Sequence, residues 1–256
     1  MHRYHHSSFV SIMSATALFA AGCARLCYGQ GNLDERLAAI EMQASKGAQL
    51  GKLETEALKL IQDFRSPADT GKVYAHIAFL YARPGANKQP TKVIAYATMA
   101  LKYPLELRDS VRIYLDLGSA ITSKYLTIGP SECLSHRREI VVPFLSGLKL
   151  LLDNGVPEEP VPSPGVMKFD VPPDAPEYQQ IVREHAQQME ARKRADALNE
   201  LVHLRFVLTN EICGLYSQGT DAMAELQELS SQILKNDAVV IALLAKTKAE
   251  RAKHIK

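Results

Sequence analysis

Apolar residues recur at spacings of three and four along almost the whole chain, and strand-like alternation is nearly missing. That period places apolar side chains on one helix face, so the pattern predicts an all-α protein. Leu33, Leu37 and Ile40 mark a first helix; Leu53, Ala57, Leu60, Ile61 and Phe64 mark a second. Ser66-Pro67-Ala68-Asp69 reads as a helix start, with Ser66 as cap, Pro67 at the first helical position and Asp69 able to reach back. The helix that follows carries Val73, Ile77, Leu80 and Tyr81 and ends at Pro84-Gly85. The next, opened by Pro90-Thr91 and closed by Pro104, turns Val93, Ala97, Ala100 and Leu101 inward. A fifth helix carries Val111, Tyr114, Leu117 and Ile121 before Gly129-Pro130 breaks the chain. A sixth runs from about His136 to Leu152, with Pro143 expected to kink it or mark its start, and Asn154-Gly155 ends it.

Between Val156 and Pro176 the pattern stops. Seven of the chain's 13 prolines fall here, which excludes helix and favours extended backbone. The stretch reads as a linker or, preferably, a strap on the surface, with Val166, Met167, Phe169 and Val171 available as apolar anchors. The longest helical pattern follows, from about Glu177 to Ser217. Its first half is polar and expected to project, and its second half carries two apolar stripes interrupted by Arg205. Two more helices, about Asp221–Leu234 and Asp237–His254, complete the chain. The expected organisation is therefore a leader over 1–30, helical hairpins over 31–155, the strap or linker over 156–176 and a C-terminal helical region over 177–256.

The leader is read from its order of residues. A short polar start with Arg3 precedes 16 uncharged, apolar or small residues, Phe9 to Ala24. A membrane span needs about 20, so the pattern fits a secretory signal better than a permanent anchor. Ala20-Ala21-Gly22-Cys23 resembles the lipobox of bacterial lipoproteins, although Ala20 stands where that family usually has Leu. Two ends of export stay open: a free soluble form, periplasmic or extracellular, and a form anchored through lipid on Cys23, which is also the condition for any membrane association.

Removing the leader changes the charge picture. The chain has 30 basic and 28 acidic residues, and residues 1–30 hold two of the bases and none of the acids. The remainder is balanced, so general attraction to nucleic acid is not expected. Of the four cysteines only Cys133 and Cys213 remain, and in an oxidising compartment they are candidates for a disulfide. Closing a loop of about 80 residues would contribute roughly 4.5 kcal/mol in the chain-entropy view, against the alternative of two free thiols.

Chemistry is sparse. The sequence has no H-E-x-x-H, no C-x-x-C-H, no Gly-rich phosphate loop and no G-x-S-x-G, so no catalytic residue, cofactor or metal site is nominated. Cys133-Leu134-Ser135-His136 pairs a thiol with an imidazole but reads first as a loop cysteine. His76 reads as a partly buried, hydrogen-bonded histidine. Arg205, if buried, needs a carboxylate or carbonyl partner; Glu211 and Asp116 are available.

One pattern repeats. Tyr74-x-x-Ile77-Ala78-x-x-Tyr81 returns forty residues later as Tyr114-x-x-Leu117-Gly118-x-x-Ile121. Both are similar to the first helix of a tetratricopeptide repeat, where a small residue lets the partner helix approach. Val93, Ala97 and Ala100 before Pro104 resemble the second helix; Ile140, Phe144 and Gly147 repeat it loosely. The resemblance covers residues 66–152 with a period of forty rather than the family's thirty-four, and an irregular helical bundle fits as well. It implies a non-enzymatic scaffold or interaction module that holds a protein or peptide partner in a groove, with Tyr74, Tyr81 and Tyr114 as the first place to look, core packing being the other reading of these tyrosines. The competing readings are a secreted enzyme or small-ligand binder with a site assembled from His76, Cys133, His136 and Arg205, and a lipid-anchored envelope component.

Overall fold

A computed structural model describes residues 32–83, 89–165, 172, 174–217 and 222–254. The leader, the lipobox with Cys23, and the apolar strap anchors Val166, Met167, Phe169 and Val171 lie outside the described residues.

The fold is all-α: ten helices and no strand among the described residues. They are α1 (Leu33–Ser45), α2 (Leu50–Asp63), α3 (Pro67–Ala82), α4 (Pro90–Ala100), α5 (Leu107–Leu126), α6 (Pro130–Ser135), α7 (Arg137–Asp153), α8 (Tyr178–Ser217), α9 (Ala222–Leu234) and α10 (Asp237–His254). No helix among the described residues is long and apolar enough to cross a membrane.

Local chemistry sets the ends. Asn32 caps α1 by accepting from the Glu35 N–H at 3.0 Å. Ser66 caps α3: its Oγ accepts from the Asp69 N–H at 3.0 Å and donates to the Asp69 carboxylate at 2.6 Å, with Pro67 in the first turn. Gly47 and Gly155 adopt φ of +83° and +66° just past α1 and α7. There the chain reverses with Ala48 N–H on Gln43 O and Val156 N–H on Leu151 O, the bonds that close a helix C-terminus. Two local expectations change. Pro143 lies buried inside α7, which begins six residues earlier at Arg137. Cys133 sits on the short helix α6 rather than in a loop, because Pro130 after the break starts a new turn instead of extending it.

Helices adjacent in the chain pack on each other from α1 to α5, and α1 touches α3 as α3 touches α5. Beyond the small α6, α5 packs on α7, α7 on α8 and α9, and α8 on α10. Small residues make the closest approaches. Ala75 and Ala78 of α3 meet Ala97 and Ala100 of α4 in one buried cluster with Ile113. A Cβ on Gly118 of α5 would stand 2.4 Å from the Phe144 ring of α7. One on Gly147 of α7 would stand 3.2 Å from both Leu208 of α8 and Tyr114 Cβ of α5.

The largest apolar cluster runs from Val111 to Leu243, so the helices before and after the Pro-rich stretch share one core. The described part of that stretch is strapped to α8 in antiparallel order. Arg205 donates to Val156 O at 2.6 Å, the Asn199 side chain exchanges two hydrogen bonds with the Val161 backbone at 2.8 and 3.0 Å, and Ser163 donates to Asp196 at 2.9 Å. A segment whose prolines lack N–H groups cannot join a backbone ladder, so side chains of α8 hold it. On α8 itself every buried residue lies at or beyond Val202, and the polar first half is largely exposed.

The glycine contacts give opposite expectations for one chemical change. Gly118→Ala should lower stability by about 1–3 kcal/mol, because Phe144 is fully buried and has nowhere to shift. Gly214→Ala, on an exposed face of α8 with open space around it, should raise stability by about 0.5–1 kcal/mol. Urea unfolding of the two variants checks both signs.

Candidate functional site

Three helices of the N-terminal half turn polar stripes toward one another. Spacing of three and four puts Asp34, Leu37 and Glu41 on one side of α1, and Lys72, His76 and Phe79 on one side of α3, with Arg83 just beyond its end. Arg108, Asp109 and Arg112 do the same on α5. Because α3 packs on both α1 and α5, the stripes enclose a cleft of about 360 Å³.

The charges on its wall balance: Lys72, Arg83, Arg108 and Arg112 against Asp34, Glu41, Glu106 and Asp109. Several are paired across helices. Lys72 meets Asp34 at 2.5 Å and Arg83 meets Glu41 at 2.6 Å, which ties α3 to α1. The hydrogen bond from Lys72 to Asp34 holds its ammonium pKa above the ordinary lysine value. Arg108 reaches both the buried Asp109, at 3.4 Å, and Glu200 of α8, at 3.6 Å. Arg112 meets an aromatic face: its guanidinium lies 4.5 Å from the Phe79 ring centroid.

His76 stands in the same cleft. Its Nε2 is buried and has no hydrogen-bond partner, the one such side-chain atom among the described residues. Burial drives its pKa down to about 4, so the ring is neutral at physiological pH. The sequence reading of a partly buried histidine fits, but this nitrogen is left without the hydrogen bond expected for it. An unpaired buried polar atom costs roughly 1–3 kcal/mol, which a ligand group placed against it would recover.

The opposite treatment is given to Glu54 of α2. Its carboxylate accepts from Tyr81 at 2.6 Å, from Lys92 at 2.5 and 2.7 Å, and from Tyr96. Burial opposes its charge, but the bonds from Lys92, Tyr81 and Tyr96 outweigh that and hold its pKa below the usual carboxylate value. Burial, then the bond to Glu54, pushes the Tyr81 and Tyr96 phenols up, so both remain donors. The rings form a ladder: Tyr103 beside Tyr74 at 5.9 Å, Tyr74 beside Tyr96 at 6.2 Å, and Tyr96 beside Tyr81 at 6.5 Å.

The residues singled out from sequence are thus partly gathered. Tyr74 and Tyr81 share the ladder, through Tyr96. Tyr114 packs beside Gly147 between α5 and α7, because its side of α5 faces α7 rather than α4. Cys133 and Cys213 are both buried free thiols. Cys133 Sγ approaches Thr122 O at 3.6 Å, and Cys213 accepts from Thr247 at 3.4 Å, so each is engaged locally and no disulfide joins them. Burial raises both thiol pKa values, the reverse of an activated nucleophile. His136 stacks on Tyr125 at 4.0 Å and lies 3.6–3.7 Å from Glu132 and Glu139. Arg205 takes Val156 O and, at 3.8 Å, Glu158 as partners, since the strap crosses α8 at that turn. His76, the Cys133–His136 pair and Arg205 occupy three separate places, and no group of three metal-ligating side chains forms among the described residues.

The polar stripes of α1, α3 and α5 were the signal that sequence reading passed over. Each was visible as a three-four spacing, but only the packing of the three helices makes them one wall. No protein-family model matches the chain, and no curated protein or solved structure matches it.

Two groups give two pH windows. The folded state keeps His76 neutral down to about pH 4, whereas the unfolded chain protonates it near 6.5. Stability should therefore fall by up to about 3 kcal/mol as pH drops through that interval. His76→Leu should flatten this window. Glu54 has a folded pKa below 4.5, so its contribution is present above 4.5 and is lost at lower pH. Glu54→Gln should remove that lower window and cost about 1–3 kcal/mol at pH 7. Urea midpoints measured from pH 7.5 to 3 separate the two.

Proposed function

We propose that this protein is an exported, non-enzymatic helical scaffold that holds an extended segment of a partner protein in the α1–α3–α5 cleft. One observation carries the reading: the cleft presents balanced charges around a neutral His76 whose buried Nε2 lacks a partner, beside Arg112 stacked on Phe79. A simple anion has no electrostatic reason to prefer such a wall. A polypeptide does, since its amide N–H and C=O groups and mixed side chains match donors and acceptors of both kinds. The helices that supply the wall include α3 and α5, the two whose sequences are similar to tetratricopeptide first helices, and stacked hairpins of that kind commonly serve as peptide holders.

Export rests on the N-terminal pattern of Arg3, the uncharged run to Ala24 and the small residues before Cys23. The scaffold then works in the periplasm or envelope, free or tethered through Cys23.

Affinity capture from envelope extracts tests the reading. The wild-type protein should retain a defined partner, and Arg112→Glu should lose at least tenfold of it while circular dichroism stays unchanged. Equal recovery on both baits, or no partner above a bait-free control in soluble and detergent fractions, removes the proposal. Membrane fractionation of Cys23→Ser in the same experiment separates the tethered form from the free one.

A further inference from the structure

The helices around the cleft are not attached with equal strength. Helix α1 packs on α2 and α3, and buries Leu33, Leu37 and Ile40 in the cluster that holds Leu53 and Leu60 of α2 and Ile77 and Leu80 of α3. Three buried side chains must offset the ordering of a 13-residue helix that has little stability alone. Its ion pairs add little: Asp34 with Lys72, Glu41 with Arg83 and Arg36 with Asp63 all have acids more than half exposed. By contrast, α2 is tied to α3 and α4 by Glu54, through Tyr81, Lys92 and Tyr96. Helix α5 is locked into the core by Phe144 against Gly118.

His76 stands at the seam between α1 and α3, with its Nε2 buried and without a partner. The charged groups around it are Asp34 and Glu41 from α1, Glu106, Arg108, Asp109 and Arg112 from α5, and Lys72 and Arg83 along its own side of α3. Among the described residues no charged group of α2 or α4 lines this cleft. Asp34, Glu41 and Asp109 are already engaged by Lys72, Arg83 and Arg108. Protonation makes both ring nitrogens donors, so Nε2–H becomes a buried cationic donor with no acceptor, on a stripe that already holds Lys72 and Arg83. Lifting α1 brings water to it.

We propose that α1 is an acid-released cover: protonation of His76 lifts α1 from α3, while α2, α3 and α4 stay joined through Glu54. Opening uncovers the apolar faces that Leu33, Leu37 and Ile40 protect and removes one wall of the cleft, so acid discharges whatever the cleft holds. This inference rests on the α1–α3 seam and not on the partner reading. The sign follows from linkage. With α1 docked, burial keeps the ring neutral down to about pH 4, whereas a hydrated ring titrates near 6.5. The open form takes up the extra proton, so its population grows about tenfold for each pH unit through that interval, up to about 300-fold in all. Glu54 has its pKa held below 4.5, so the α2 attachment persists through nearly all of it.

Hydrogen exchange read by mass spectrometry on the purified full chain, from pH 7.5 to 4, tests this. After correction for intrinsic rates, the α1 amides should open up to about 300-fold more often at pH 4 than above 6.5. At every pH they should open at least tenfold more often than the amides of α5 and α7, and respond weakly to low urea, as a local opening does. His76→Leu and His76→Gln, two variants that cannot titrate, should each flatten the pH dependence of α1. An α1 opening constant that is unchanged from pH 6.5 to 4 overturns the inference. So does exchange of α1 in step with α5 and α7, which assigns the proton uptake to global unfolding, or a rise that survives in both variants.

Discussion

The packing of the Phe144 ring against the bare backbone of Gly118 fixes how the two ends of this protein meet. A side chain at 118 would occupy the space of the ring, so α5 and α7 approach only because residue 118 has no Cβ. Gly147 repeats the device one turn further along α7, where Leu208 of α8 and Tyr114 of α5 close in. Three helices thereby cross at near contact distance, and the cluster from Val111 to Leu243 assembles around them. The candidate cleft depends on that junction, which orients the first turns of α5 that carry Arg108 and Arg112 into it.

Buried polarity is handled in two contrasting ways. Glu54 sits in a partly buried position with two phenols and an ammonium on its oxygens, so its charge is compensated at every accessible lone pair. The strap follows the same rule: Val161, flanked by prolines, has its N–H and C=O both taken by Asn199. His76 breaks the rule. Among the described residues one imidazole nitrogen is the buried side-chain polar atom left unpaired, which concentrates a local cost at a single wall. Arg112 stands beside it, its guanidinium against the Phe79 ring. That local departure from consistency is what distinguishes the cleft from ordinary charged surface. Arg108 then links it to the rest of the molecule through Glu200 on α8, the same helix whose Arg205 holds the strap.

Much of this was legible in the residues. Ser66-Pro67-x-Asp69 specified a capped helix start within four residues, and Asn154-Gly155 specified a stop; both depend on bonds that close locally. The core faces of α1 to α5 followed from three-four spacing, since burial on one side leaves that imprint whatever the partner helix. The polar first half of α8 was readable as projecting for the same reason. Cys133 was assigned to a loop because six residues between a break and the next helix leave too little period to read.

The sequence by itself thus determined the all-α class, most helix boundaries, the caps and the side of each helix that is buried, because those follow from interactions a few residues long. Tertiary structure decided which faces meet. It placed Tyr74 with Tyr96 and set Tyr114 against Gly147; it left Cys133 and Cys213 apart; it gave Arg205 to the strap; and it merged three unremarkable polar stripes into one cleft around His76. These pairings join residues tens of positions apart. Their geometry depends on helix crossing angles and on approach distances set by single missing side chains at Gly118 and Gly147, and a one-dimensional pattern does not encode which of several compatible crossings the packed core adopts.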